Sequence, residues 1–429
     1  MDLREYAQAF DEVEREFEQS VATFGVPFEA GESSPRAARA RTARACGVRC
    51  ENGDASLWRG WISPACLACR TGERTATFFV DLRCTRQCYF CFNPNQDHYE
   101  YFRTHARNIV AELEQAHASG ASFDCLAITG GEPMLHAAEV VAFLRRAQEL
   151  YPGVHTRLYT SGDLLDAAGL RALAEAGLTE IRFSTKPSDA GGGAERVYEL
   201  MAQAVAAIPD VMIEVPVIPG TLDEMKELLV RADAIGVRGV NLLEFCFPLH
   251  NAEEFRARGF TLRKRPFAYL YNYWYGGGIP VAGSEWDALA LVEFVAREGL
   301  RLGVHYCSSD NKNTGQIFQQ NKAFFADGAL RAAYPWLRQD EGSRFLMCAK
   351  AFGDDVELVR AWAEGAGVPH RVDADVPSIA LPLDAVTALR QACPAVELGR
   401  SVNVAEQGED GAVRVREVAL DRFDGEALA

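Results

Sequence analysis

"TATFFVDLRCTRQCYFC", residues 75–91, is the stretch on which the fold turns. Its first half is a run of Thr, Phe and Val, side chains that favour a pleated strand. Its second half places three cysteines in eight residues, Cys84-x3-Cys88-x2-Cys91. A strand that empties straight into three thiols calls for a partner that three thiolates hold and a fourth does not.

Similar runs recur downstream: "FDCLAITG" (123–130), "VHTRLYTSG" (154–162), "TEIRFST" (179–185), "VMIEVPVIPG" (211–220), "GVNLLEF" (239–245) and "RLGVHYC" (301–307). Between most of them lie helical patterns such as "ARNIVAELEQAHASG" and "DEMKELLVRADAIG". Strand, helix, strand in this rhythm implies parallel βαβ units. Six or seven in succession predict a curled, barrel-like α/β sheet with its chemistry at the C-terminal strand ends. Cys84, Cys88 and Cys91 follow the first strand and fall on that face.

Composition sets the frame. A chain of 429 residues exceeds one ordinary core, so a large α/β domain with an appended unit is expected. Apolar content of 48% and charged content of 24% are those of a globular protein. A net charge of −16 gives no sign of nucleic acid or acidic membranes as partners. No apolar run reaches 18 residues, and "MDLREYAQAF" lacks a signal-peptide core, so a cytoplasmic location is expected. In that reducing compartment the twelve cysteines are better read as ligands or buried thiols than as disulfides.

Four regions are expected. Residues 1–74 hold an amphipathic helix (Phe10, Val13, Phe17, Val21 and Phe24), a basic connector over 31–45 and a cysteine-rich segment. Residues 75–310 form the barrel and 311–339 a helical linker. Residues 340–429 read as a small α/β unit, ferredoxin-like in layout, with strands at 345–352, 369–380, 395–404 and 412–419.

Three cysteines in one loop suit a [4Fe–4S] cluster with one iron left open; a zinc knuckle or merely packed thiols are the plainer alternatives. The spacing, with Phe90 before the third cysteine, resembles the signature of the radical S-adenosylmethionine (radical SAM) superfamily. The resemblance covers roughly residues 75–310. It implies a partial (β/α)6-type TIM-like barrel, and an open iron that chelates S-adenosylmethionine. One electron then cleaves the sulfonium to methionine and a 5′-deoxyadenosyl radical. Within the superfamily, "CYFCFNPNQ", "ITGGEP", "VPVIPG" and "NLLEF" are most similar to proteins related to the pyruvate formate-lyase activating enzyme.

Further site residues follow from the resemblance. Gly130, Gly131, Glu132 and Pro133 look like the family's glycine-rich motif at the amino group of S-adenosylmethionine, or else a plain βα turn. Thr160, Ser161 and Gly162 are similar to a polar element beside the nucleoside. Ser184 and Lys186 stand as ribose or carboxylate contacts, with helix capping as the alternative.

Cys46-x3-Cys50 and Cys66-x2-Cys69 have the pairing of a second metal site, zinc or iron. A strand of six to eight residues separates Cys69 from Cys84 by roughly 20–26 Å, so this site is expected away from the cluster unless the connector folds back. Cys246 follows the sixth strand and Cys307 closes the seventh, with His305 and Tyr306 alongside, and they are candidates to face the cavity as radical-quenching or proton-donating groups or as ligands to another metal; a buried packed thiol is the alternative. The implied partners are an external one-electron donor (flavodoxin or ferredoxin) and a small-molecule or peptide substrate. Glycyl-radical-enzyme activation and methyl or aminocarboxypropyl transfer are the competing reactions. A non-enzymatic iron–sulfur redox sensor is the competing class.

Overall fold

The computed structural model describes residues 1–31, 35–185, 193–271, 277–339 and 345–422. It divides into two compact units, Phe24–Pro266 with Tyr273–Lys312, and Met1–Thr23 with Phe267–Asn272 and Asn313–Ala429. The expected first region is shared between the units, because the N-terminal helix Leu3–Ala22 packs with the C-terminal sheet, and the later division, Lys312/Asn313, lies two residues from 310/311.

The first unit holds strands β1 (Arg49–Glu51), β2 (Ser56–Arg59), β3 (Thr75–Phe79), β4 (Cys125–Thr129), β5 (His155–Thr160), β6 (Glu180–Phe183), β7 (Asp210–Val217), β8 (Gly239–Glu244), β9 (Cys246–Phe247), β10 (Ile279–Pro280) and β11 (Gly303–Cys307). Nine of them form one sheet in the order β1-β2-β11-β8-β7-β6-β5-β4-β3. From β3 to β8 and on to β11 every pairing is parallel, with β2 and β1 added antiparallel at the edge. All seven expected strands are present, and the fold is the partial TIM-like barrel. The basic connector is instead a helix, Pro35–Cys46.

The strands alternate sharply. Leu126, Ile128, Leu158, Ile181, Ile213, Val215, Val240, Leu242 and Val304 are buried against helices, among them Ala137–Leu150, Leu222–Ile235 and Ser284–Arg297. The residues between them (Arg157, Glu180, Arg182, Glu214, Asn241, His305, Cys307) carry polar or ionisable groups and point to the opposite, concave face. Apolar packing thus sits outside the curled sheet, and its inside is left for chemistry.

In the second unit, β12 (Arg338–Gln339), β13 (Leu346–Phe352), β14 (Arg371–Asp373), β15 (Ser378–Leu381), β16 (Gly399–Gln407) and β17 (Val413–Arg422) form an antiparallel sheet ordered β14-β15-β13-β16-β17, β12 pairing with β13. The expected single strand over 369–380 is the hairpin β14–β15. With helices Asp355–Ala366 and Val386–Ala392 between them, β16-β13-β15-β14 gives the split βαβ order of a ferredoxin-like sheet, extended by β17. Among the described residues no helix is long and apolar enough to cross a membrane.

Leu158→Ala, at a fully buried outward position, should cost about 2–5 kcal/mol in denaturant unfolding. Val13→Ala belongs to the expected apolar stripe of the N-terminal helix but lies 47% exposed, and should stay within about 0.5 kcal/mol of wild type.

Candidate functional site

The cysteine loop is tied down on several sides. At its start the buried Asp81 carboxylate accepts the main-chain N–H of Arg83 at 3.0 Å and its guanidinium at 2.6 Å, and lies 2.7 Å from His136 Nε2. Arg86 forks onto Asp163, after β5, at 2.8 and 2.7 Å. Cys91 N–H donates to the Cys88 carbonyl at 3.0 Å, closing a turn. His250 Nε2 lies 2.7 Å from the Cys91 carbonyl, and Asn251 donates to the Tyr89 carbonyl at 3.0 Å. The Phe90 ring stands 5.4 Å from Phe245. Cys84 is exposed, Cys88 and Cys91 are half-buried, and none of the three is drawn into a disulfide. They fit a cluster that takes three thiolates and leaves one iron open.

Gly130 and Gly131 are glycines for a steric reason. Gly130 has φ +124°, and a Cβ on Gly131 would stand 1.7 Å from the Arg83 carbonyl oxygen. Across this contact Gly131 N–H donates to the Asp81 carbonyl at 3.2 Å and Glu132 N–H to the Arg83 carbonyl at 2.7 Å. Asn93, just past the cysteines, donates to the Gly130 carbonyl at 2.8 Å.

Glu132, expected to meet an ammonium, is buried and already accepts four hydrogen bonds. They come from Met134 N–H (3.1 Å), Thr160 Oγ1 (2.8 Å), Ser161 N–H (2.7 Å) and Ser161 Oγ (2.6 Å). In this arrangement it braces the ends of β4 and β5, and Pro133 opens the buried turn that follows. Gly162, at φ +79°, donates to Thr160 Oγ1 at 3.0 Å. Ser184 N–H donates to the Thr160 carbonyl at 2.9 Å, placing the three strand ends side by side. Lys186 lies outside the described residues.

On the concave face Arg182 donates to Glu180 at 2.6 Å, to Glu214 and to the Cys66 sulfur at 3.1 Å. Asn241 adds a bond to Glu214 at 2.8 Å. Burial raises the Glu180 carboxyl, but Arg182, His155, Arg157 and Ser63 hold it far below the usual carboxylate range. His305 Nε2 lies 2.9 Å from Ser56 Oγ, while its Nδ1 is buried without a partner. Burial, with Arg182 and Arg70 nearby, lowers its pKa to about 3, so it is neutral. Arg157, Glu180, Arg182, Glu214 and Asn241 escaped the sequence reading, although the period-two alternation in "HTRLYT" and "TEIRF" marks Arg157, Glu180 and Arg182 as sharing one face.

Tyr306 is not a cavity group. It aligns with Leu242 and Leu57, one residue out of phase with His305 and Cys307, and is buried on the helix side among Arg39, Glu285, Arg263 and Glu244. Cys307 does share the concave face, and burial pushes it up to about 12 against the pull of Lys312 and Asn311. Cys246 is buried in the β9–β10 pair, its sulfur 3.2 Å from Ser309 Oγ.

The four cysteines expected to share a metal are not brought together. Cys50 aligns with Leu57 and Tyr306 on the helix side, whereas Cys66 meets Arg182 on the concave side. The sheet edge stands between the pairs. Cys66 and Cys69 are not remote from the strand tops either. Helix Pro64–Cys69 folds back over the concave face, and their sulfurs lie close enough to Cys307 to raise it further. Among the described residues one His/Cys/carboxylate group gathers within 4.8 Å, His155, Glu180 and Asp210, at the opening residues of β5, β6 and β7. Arg182, Ser63 and Arg238 already neutralise or bond those carboxylates, so it is an ion-pair network at the far end of the barrel.

Residues 82–232, from just after β3 into the helix after β7, match the profile of the Radical SAM superfamily. This stretch thus carries a radical SAM domain. A Methanocaldococcus jannaschii protein, provisionally named a glycyl-radical enzyme activating enzyme, is 28% identical over 263 residues, 60% of this chain and 66% of that one. The PqqA peptide cyclase of Gluconobacter oxydans is 34% identical over 144 residues, 33% of this chain and 38% of that one. The chain thus spans just under two thirds of the first relative and well under half of the second. Among solved structures, Streptococcus suis SuiB bound to precursor peptide SuiA is similar at a TM-score of 0.41 and 14% identity, covering 61% of this chain and 51% of that one.

Gly131→Ala should lower iron uptake on anaerobic reconstitution, because the new methyl must push the Arg83 carbonyl and the adjoining Cys84 aside; iron content measured beside the unfolding midpoint separates this from general instability. His305 sets a pH dependence. A histidine depressed in the fold stays neutral while its unfolded counterpart binds a proton, so its contribution is whole above about pH 6.5 and shrinks as pH falls toward 3. His305→Gln should remove about 2 kcal/mol of the stability lost between pH 7 and pH 5 in matched denaturant titrations.

Proposed function

We propose that this chain binds a [4Fe–4S] cluster through Cys84, Cys88 and Cys91 and uses S-adenosylmethionine to abstract hydrogen from a small-molecule or peptide substrate. The observation that carries this is the three-thiol loop at the end of the first parallel strand, with the Gly130–Gly131 backbone pressed against it. When bound, cluster and S-adenosylmethionine supply the one-electron cleavage that yields methionine and a 5′-deoxyadenosyl radical.

The chain's own groups do the rest. Glu132, Thr160 and Ser161 hold the ends of β4 and β5 rigid beside the cysteine loop. The side chain missing at Gly131 lets the two loops touch. Cys307, held as the protonated thiol by burial, is suited to return a hydrogen atom rather than act as a nucleophile. The reducing electron comes from an external donor of the flavodoxin or ferredoxin kind. Activation of a separate glycyl-radical enzyme is the second reading, favoured by the name of the Methanocaldococcus relative.

Anaerobically reconstituted protein should hold about four irons, fewer by that number in the Cys84, Cys88 and Cys91→Ala triple variant. Once reduced it should release 5′-deoxyadenosine and methionine slowly without substrate. Iron-free protein overturns the proposal. S-adenosylhomocysteine or methylthioadenosine as the main product moves it to methyl or aminocarboxypropyl transfer.

A further inference from the structure

Lys312 stands in the helix Ser309–Ala326, directly after β11, at the mouth where β8 and β11 end. Its ammonium makes one long hydrogen bond, 3.4 Å to the main-chain carbonyl of Glu244, and among the described residues it forms no ion pair. The carboxylates around it are committed. Glu244 accepts Arg263 at 2.5 Å and Ser309 N–H at 2.7 Å, and Glu214 accepts Arg182 and Asn241. Its other neighbours are the thiols of Cys246 and Cys307, both pushed up by burial and so uncharged at neutral pH. The Lys312 ammonium is part-exposed, and Glu244 and Glu214 act on it from beyond ion-pair distance, so it has lost hydration without gaining a direct counter-charge.

We infer that Lys312 anchors a carboxylate of the substrate, so that the molecule modified is an acid or an acidic peptide. This rests on the substrate-modifying reading above. A carboxylate is favoured over a phosphate because the amides of the helix's first turn are already used. Ser309 N–H bonds Glu244, Asn311 N–H bonds Ser308 Oγ at 3.2 Å, and Lys312 N–H bonds the Ser308 carbonyl at 3.3 Å. Among the described residues what is left is one point charge with no arginine fork beside it, enough for a monoanion. The placement also sets the radical chemistry: a carboxylate held at Lys312 brings the adjoining carbons beside Cys307, on the same face of β11 as His305.

The test is ligand-dependent thermal unfolding of the reconstituted protein with S-adenosylmethionine bound. The probes are glutarate, the peptide acetyl-Ala-Glu-Ala-amide, their neutral counterparts glutaramide and acetyl-Ala-Gln-Ala-amide, and inorganic phosphate. At least one acid should raise the midpoint by roughly 2–4 °C at tenfold excess over its Kd, with the neutral partner inert. Glutarate acting alone assigns a free acid, and the peptide acting alone an acidic peptide. Lys312→Met should abolish the shift and Lys312→Arg should keep part of it. A wild type indifferent to both acids, an equal shift in Lys312→Met, or phosphate matching the acids would overturn the inference. If wild type loads iron and cleaves S-adenosylmethionine yet ignores both acids, this inference alone falls; if it does neither, the reading beneath it falls first.

Discussion

The carbonyl oxygen of Arg83 and the α-carbon of Gly131 occupy space that no third atom can share. That contact places the cysteine loop against the end of β4, and most of the site is built outward from it. Once the two backbones touch, Gly131 and Glu132 can donate to the Asp81 and Arg83 carbonyls. Glu132 is then aimed at Thr160 and Ser161, which brings in β5, and Thr160 in turn accepts Ser184 from β6. Three strand ends and one loop become a single hydrogen-bonded surface. Each bond is worth no more than any other in a protein, about 0.5–1.5 kcal/mol, but all of them fail together if the first approach is blocked.

The barrel distributes its energy in an unusual way for a sheet buried on both sides. Its outward residues are aliphatic and pack beneath helices, which supplies the apolar burial that stabilises the fold. Its inward residues include Glu180, Arg182 and Glu214, whose burial is costly and is offset by pairing, Arg182 alone contacting two carboxylates and one sulfur. A closed TIM barrel fills this volume with branched aliphatics. Here the volume stays polar, and helix Pro64–Cys69 is laid into it from the open side.

A second ion-pair network holds the outer edge. Arg39, from helix Pro35–Cys46, meets Glu285, which shares Arg263 with Glu244 at the end of β8. Two guanidiniums and two carboxylates balance, so the helix before β1 is fixed to the helix before β11 without a net buried charge. The same pairing occupies Glu244 and leaves Lys312 on the other side of the strand without a carboxylate.

Much of this was legible in one dimension. The strand–helix rhythm over 75–307, the Cys84-x3-Cys88-x2-Cys91 spacing and the paired glycines at 130–131 are local signals, and local periodicity dictates local geometry. The ferredoxin-like order of the second unit also follows from its pattern, once 369–380 is read as a hairpin. What lay beyond reach depended on which face of a sheet a residue meets. Cys50 and Cys66 are 16 residues apart, yet the sheet edge stands between them, so paired spacing alone could not say whether four sulfurs converge. Tyr306 sits between two concave-face residues and points the other way because strands alternate. The sequence by itself determined the elements, the cysteine loop and the steric need for glycine beside it. The tertiary structure alone decided which charges find partners, because pairing depends on distances between strands far apart in the chain; among the described residues Lys312 is a cation those distances leave without an ion pair.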